Sequence, residues 1–335
     1  MRRPLRLLAA LGIAATAVAV GSTGPPGPSA QAAAPRNTVP TVVARATLSA
    51  DFIAPGPPSG ALVTPANGRH GPFRGQVIPG FSGMVDNGDG TFWAMPDNGF
   101  GAKANSLDFL LRLYHVTPDW TSGAIGVGEF ISLRDPDGQI PFPIVNGATP
   151  ERLLTGGDFD IESIVRARDG SFWIGEEFGP FLLHVDATGK LLSAPVEFPD
   201  GKSPANPYLQ PGEVPLIRSS RGFEAMAIAR NGRTLYPIVE GSFVDDPVAR
   251  RRFVYEFDVV TETYTGRTWE YETDTDDDVI GDAFTMPDGR LLVERDDFEG
   301  PRDQAALCRR PRDDRRRRLR HQGARRRLPA HRQPG

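Results

Sequence analysis

Cysteine is almost missing: Cys308 is the only one in 335 residues. The body of the chain therefore holds no disulfide, and its stability must come from packing, with or without a bound metal. Lysine is nearly as scarce, three against 35 arginines, a bias that points to GC-rich coding. Sustained helical periodicity is absent from the body. No apolar run is long enough for a comfortable membrane span, since the longest covers only residues 7–20. A nucleophile elbow is also lacking. Gly80-Phe-Ser-Gly83 is not G-x-S-x-G, and its strand–turn–strand setting is wrong for one, which disfavours a serine nucleophile. His115 and His184 alternate with apolar neighbours in β-prone runs, the pattern of packed rather than catalytic histidines.

The two ends differ from the middle. Arg2, Arg3 and Arg6 precede the 7–20 apolar run, and Ala30-Gln31-Ala32 matches a small-x-small cleavage site. Residues 1–32 thus read as an export signal, by the general secretory or the twin-arginine route, and 33–70 as a Pro/Ala-rich lead-in. Residues 301–335 hold 13 arginines against three aspartates and read as the product of a frame change rather than as a nucleic-acid arm. Whole-chain charge is −4, but residues 1–300 alone carry −14. An acidic exported body argues against nucleic acid and anionic membrane as partners, and suits cation binding. The expected location is extracellular.

Between the ends, one design recurs four times. Phe81-Ser-Gly-Met-Val, Ile161-Glu-Ser-Ile-Val, Phe223-Glu-Ala-Met-Ala and Gly281-Asp-Ala-Phe-Thr each lead into a turn dipeptide. These are Asp89-Gly90, Asp169-Gly170, Asn231-Gly232 and Asp288-Gly289. A second β-prone run follows each turn, which is the signature of a hairpin. Aligning Trp93, Trp173, Tyr236 and Leu292 places Asp97, Glu177, Glu240 and Asp296 four residues later. The upstream column reads Ser82, Glu162, Glu224 and, with a one-residue gap, Asp282. Repeated units with further strands after each hairpin and no helices imply an all-β fold. The expected form is a β-propeller of four-stranded blades over residues 71–300, incomplete at its C-terminal end. Residues 41–48 are expected as a leading strand, and residues 190–192 as the fourth strand of the second blade.

Propeller blades begin with the strand nearest the axis. Glu162, Glu224 and Asp282 open that strand, while Asp97, Glu177, Glu240 and Asp296 end its neighbour, so all belong to one mouth. Converging carboxylates need cations or raised pKa values, and a hard cation such as Ca²⁺ answers the need. The expected metal ligands are Glu162, Glu177, Glu224, Glu240, Asp282 and Asp296, with Glu162, Glu177 and Glu224 also catalytic. Lys103, Arg112, Arg221 and Arg295 are candidates to hold a substrate anion. The competing reading is that the acids cap strand ends by accepting amides of neighbouring blades, and that the basic groups are ion-pair partners.

The segments Gly80-Phe-Ser-Gly-Met, Gly157-Asp-Phe-Asp-Ile-Glu-Ser-Ile, Asp169-Gly-Ser-Phe-Trp-Ile-Gly-Glu-Glu-Phe-Gly-Pro-Phe and Arg221-Gly-Phe-Glu-Ala-Met-Ala resemble the phytase-like family. Its members are exported bacterial proteins described as having esterase-like activity of phytase type. The resemblance covers about residues 75–300 and implies a propeller and hydrolysis of phosphate or other esters. A non-catalytic propeller binding a ligand or an exported protein, and a metal-dependent lactonase, remain open beside it.

Overall fold

A computed structural model of the chain describes residues 43–296 together with the backbone of Leu307–Arg309. The expected export signal and most of the arginine-rich tail lie outside the described residues. Among the described residues there is no α-helix, and one 3-10 turn, Lys103–Asn105, interrupts a succession of strands. β1 (Ile53–Ala54) and β2 (Gln76–Val77) form a short ribbon. Blade 1 follows, with β3 (Gly83–Asp86), β4 (Phe92–Met95), β5 (Arg112–Asp119) and β6 (Ala124–Ser132). Blade 2 contains β7 (Ile161–Arg166), β8 (Phe172–Glu176), β9 (Phe181–Val185) and β10 (Val196–Glu197). Blade 3 contains β11 (Ala225–Ile228), β12 (Thr234–Ile238), β13 (Arg251–Asp258) and β14 (Thr263–Glu272). Blade 4 has three strands: β15 (Val279–Thr285), β16 (Leu291–Asp296) and β17 (Leu307–Arg309). Within each blade every strand pairs antiparallel with the one before it.

Turn chemistry explains the repeated dipeptides. In each inner hairpin the glycine has positive φ, from 67° at Gly232 to 94° at Gly90, a region that an L side chain rarely adopts. The preceding Asx side chain accepts the amide two residues on: Asp89 from Thr91, Asp169 from Ser171, Asn231 from Arg233 and Asp288 from Arg290, at 2.8–3.0 Å. The four turns therefore fix four registers independently of the packing.

Because side chains alternate, each blade serves two neighbours. Phe172 and Ile174 of β8 pack with Met95, Leu111 and Leu113 of blade 1. Trp173, between them, packs on the other face with Phe223, Leu235 and Phe257 of blade 3. Ala225, Ala227 and Ile238 of blade 3 meet Ile280, Ala283 and Val293 of blade 4. This two-sided burial is why blade 2 reads as a continuous apolar run. The first strands β3, β7, β11 and β15 thus stand side by side. Close approach is visible at Gly83, where an added Cβ would lie 2.8 Å from Ile164 Cγ2. The architecture is that of a β-propeller. The far face of blade 1, with Ala94, Tyr114 and Val116, is covered by Ala54 of the lead-in and by Ile78, just after β2.

Trp173 has no exposed surface; it stacks on His184 at 4.2 Å between ring centroids and meets Phe257 edge-on. Trp173→Ala is expected to cost about 3–5 kcal/mol, as large aromatic truncations in cores do. A urea titration following tryptophan-independent signals such as far-UV circular dichroism checks this. The histidine does what its alternation implied: it packs, with Nδ1 2.8 Å from Glu262 and Nε2 3.0 Å from Ser171.

Two expectations about strands are corrected. Residues 41 and 42 lie outside the described set, and residues 43–48 form no strand, only a bridge from Thr47 to Ala124. The alternating apolar residues there find no continuous partner, and Val43 is exposed. The fourth strand of blade 2 is Val196–Glu197, not residues 190–192. Leu191 makes only a bridge to Val185 while Lys190 bridges to Arg134 of the preceding segment, and Pro195 delays the return to the sheet. Blade 4 is incomplete as expected, with three strands, the third being residues 307–309 paired to 291–293.

Candidate functional site

The end of blade 2 sets the geometry. Ile161 at the start of β7 pairs with Glu176 at the end of β8, so the flanking acids Asp160, Glu162 and Glu177 come together. Glu162 sits at an irregularity in the register between Ile161 and Ser163, the kind of bulge that re-aims one side chain. Glu177 N donates to Asp160 O at 2.9 Å, and in blade 3 Glu240 N donates to Gly222 O at 2.9 Å, the same link one repeat later. The blades are then joined: Phe223 N donates to Glu176 O, and Gly222 N to Glu177 Oε1 at 2.8 Å. Glycine is needed here, since a Cβ on residue 222 would lie 2.6 Å from Glu177 Cα.

Two groups of carboxylates result. Asp160, Glu162 and Glu177 bring ligand oxygens within 4.8 Å of one another, and so do Glu177, Glu224 and Glu240. Glu177 belongs to both. All are buried except Glu224, which is half-buried. Burial, and then Glu240 and Asp160, push the Glu224 pKa up to about 8. Burial and Asp97 push Asp160 up to about 6, against a hydrogen bond shared with Glu162. Glu162 is raised well above its ordinary value by burial and by Glu224, Asp160, Glu177 and Asp97. Glu177 is raised in the same way by burial and by Glu240, Glu224 and Asp160. Asp97 belongs to this electrostatic group from blade 1, and its own pKa is raised by burial. Against these acids stands Arg221, whose guanidinium lies 2.9 Å from Glu240.

The sequence-derived candidates divide accordingly. Glu162, Glu177, Glu224, Glu240 and Arg221 come together. Lys103 lies close by, half-buried, with its ammonium 5.0 Å from the Phe178 ring centre and its charge felt by Asp158 and Glu176. Arg112 opens the third strand of its blade, donates to Pro55 O at 2.7 Å and stacks on Phe130 at 3.8 Å. Arg295 is buried between Asp274 and Asp278, the latter at 3.3 Å. Asp282 pairs with Glu294, while Gly281 takes the irregular position that Glu162 holds in blade 2. Its pKa rises to about 7 chiefly through burial, with Glu294 as its acidic neighbour. The side chain of Asp296 lies outside the described residues.

Two acids gain roles that the repeat columns did not mark. Asp160 joins the first group, although its counterpart in blade 3 is Gly222. Glu176 is fully buried and accepts the amides of Phe178 and Gly179 at 2.8 and 2.7 Å, so it fastens the turn after β8. The strand-capping reading therefore holds for one oxygen of Glu177, which accepts the Gly222 amide of the next blade, while Glu176 fastens a turn of its own blade.

The donor set suits a hard cation. Every ligand is a carboxylate oxygen, several approach one point, and their mutual repulsion is only partly balanced by Arg221. The residues present can therefore hold a metal ion.

Meander blades standing side by side, with buried carboxylates gathered at the ends of blades 2 and 3, define a β-propeller with an acidic cluster. A family model described as phytase-like, with esterase-like activity of phytase, matches residues 76–325, and the chain belongs to that family. A curated relative, an uncharacterized secreted protein of Arthroderma benhamiae, is 24% identical over 264 residues, 59% of this chain and 51% of that protein. The chain thus spans about half the length of that relative. Among solved structures, a luciferin-regenerating enzyme aligns over 63% of this chain and 54% of its own at 13% identity and a TM-score of 0.33. The Dos1 propeller aligns over 67% and 43% at 12% identity and a TM-score of 0.31. Among the described residues no helix is long and apolar enough to cross a membrane.

Proposed function

We propose that the protein is an exported, Ca²⁺-dependent hydrolase of phosphoesters or related esters, acting at the end of blades 2 and 3. The observation that carries this is the pair of carboxylate groups sharing Glu177, with ligand oxygens within 4.8 Å in each. An oxygen-only, acid-rich site favours Ca²⁺ over softer ions. When bound, such an ion supplies Lewis acidity toward an ester oxygen. Glu162, Glu177, Glu224 and Glu240 hold it, with Asp160 beside them. Asp160 and Glu162 bring carboxylate oxygens within 4.8 Å of each other, so this pair can keep a proton on a carboxylate oxygen and return it to a leaving group. Glu224, the more open of the acids, is the one best placed to take a proton from water. Lys103 and Arg221 supply positive charge at the rim. Export rests on the leader-like residues 1–32 and on the secreted relative.

A panel of chromogenic phosphate esters, carboxylate esters and lactones, assayed with Ca²⁺ and with chelator, tests the reading. Turnover should require Ca²⁺ and fall by about 100-fold or more in Glu162→Gln, the usual scale for losing an acid–base group. Turnover of lactones alone would move the assignment to a lactonase. A folded, Ca²⁺-loaded protein inert toward every ester would leave a binding propeller instead.

A further inference from the structure

Asparagine followed by glycine is the pairing most prone to lose its side-chain amide, because a glycine nitrogen, with no Cβ beside it, can attack that amide. The chain has five such pairs: Asn67-Gly68, Asn87-Gly88, Asn98-Gly99, Asn146-Gly147 and Asn231-Gly232. Attack needs a glycine N–H released from other bonds and an asparagine amide able to swing toward it. The fold withholds both at four of the five. Gly88 N donates to Asp86 Oδ1 and Gly99 N to Asp97 Oδ1, each at 2.7 Å. Gly147 N donates to Ile144 O at 3.1 Å, and Gly232 N to Ala229 O at 2.8 Å. The side chains are held as well. Asn87 Nδ2 donates to Thr91 Oγ1, Asn146 Nδ2 to Leu153 O and Asn231 Nδ2 to Thr234 Oγ1, at 2.8–3.2 Å. Asn98 is 1% exposed, and its Oδ1 accepts Gly101 N at 2.7 Å. Asn67 differs in each respect. It sits at the tip of a small hairpin closed by two backbone bonds between Ala66 and Arg69, at 3.2 and 2.8 Å. Both turn residues have positive φ, 51° at Asn67 and 72° at Gly68, as a tight two-residue turn requires. Both are exposed, and a Cβ on Gly68 would meet nothing within 4 Å. Among the described residues neither the Gly68 N–H nor the Asn67 side chain has a hydrogen-bond partner.

We propose that Asn67 is a built-in site of spontaneous deamidation, the place where the folded protein ages first. Gly68 N attacks Asn67 Cγ, an N–Cγ bond forms, the Cγ–Nδ2 bond breaks and ammonia leaves. One water then opens the cyclic imide at either carbonyl, giving aspartate or isoaspartate. No other reactant is needed. Either product adds a carboxylate two residues from Arg69, whose guanidinium already lies 2.7 Å from Asp51. Isoaspartate also inserts a backbone methylene into the two-residue turn, and the Ala66–Arg69 pairing depends on that turn's length.

Peptide mapping by mass spectrometry of the full chain, held in mildly alkaline buffer at physiological temperature, tests this. Asn67 should convert about 10-fold or more faster than each of the other four, since each of those must first break a hydrogen bond to react. In denaturant, where no turn is held, the five rates should draw together. Asp86 is exposed, so Asp86→Ala does not threaten folding, and it releases the Gly88 N–H. That variant should speed conversion at Asn87 by about 10-fold, the loss of a bond to a charged acceptor, and leave Asn67 as it was. Any of the other four converting as fast as Asn67 in the folded protein would overturn the inference. An Asn87 rate unchanged by Asp86→Ala would overturn the protection argument behind it. The same lead for Asn67 in denaturant would assign the effect to sequence rather than to the fold, and would overturn it too.

Discussion

Glu177→Gln is expected to make the metal-free protein more stable and the Ca²⁺-loaded protein far less active. The two effects have one cause. Glu177 is the carboxylate shared by both groups, and it is buried among like charges that raise its pKa well above the ordinary range. The amide keeps an oxygen for the Gly222 N–H, so the link between blades 2 and 3 survives. What disappears is one negative charge. Without a cation, that removes repulsion and should raise stability. With a cation, it removes a ligand from either group. Affinity for Ca²⁺ and kcat/KM should each fall by about 100-fold or more, since a ligand matters at least as much as the outer partners that support one. Paired denaturant titrations with chelator and with Ca²⁺, plus initial rates, check it. A variant that is less stable without metal and equally active with it would show Glu177 to be only a strand-end cap.

Without metal, stability should fall as pH rises from about 5 to about 8, the reverse of the usual trend for paired carboxylates. The sign follows from proton counts. Glu224 and Glu176 keep a proton in the folded state up to about 8, and Asp160 up to about 6. The same groups in the unfolded chain ionise near pH 4–4.5. Between those limits the folded state binds more protons than the unfolded, so raising the pH favours unfolding. The loss is complete once pH passes the folded values. Saturating Ca²⁺ should flatten or reverse the slope, because the cation replaces the protons on the cluster. Glu176, which holds two amides rather than the cluster, should keep its share of the slope in both conditions. Thermal melts at half-unit pH steps, with chelator and with Ca²⁺, read this directly. A midpoint that rises with pH under chelator would contradict it.

Much of the frame was legible because it is local. The Asx-Gly dipeptides dictated the four inner hairpins, and the aromatic column at Trp93, Trp173 and Tyr236 marked the second strand of three blades. Glu162, Glu177, Glu224 and Glu240 followed from those registers. What escaped was non-local or depended on a single residue of slip. Asp282 looked like the partner of Glu162 through a one-residue gap, but the irregularity in β15 falls at Gly281 and leaves Asp282 opposite Glu294. A slip of one residue moves a side chain to the other face of a strand, and no spacing rule reveals it. Asp160 escaped because its repeat counterparts, Gly80 and Gly222, carry no side chain. Arg295 looked free at a strand end, yet Asp274 and Asp278 from the preceding loop enclose it. Asp274 and Asp278 of the Asp-rich 274–278 segment therefore hold an arginine.

On the proposed function, the buried carboxylates at the ends of blades 2 and 3 exist to hold a divalent cation. Calorimetric titration of chelator-stripped protein with Ca²⁺ at pH 7, in two buffers of different ionisation enthalpy, addresses it most directly. Saturable binding with release of about one proton or more per ion is expected, because the cation must displace protons from the raised-pKa acids. Glu177→Gln should lose both the binding and the proton release. Binding without any buffer dependence, or no binding in a folded protein, would contradict the claim and leave these acids as structural groups.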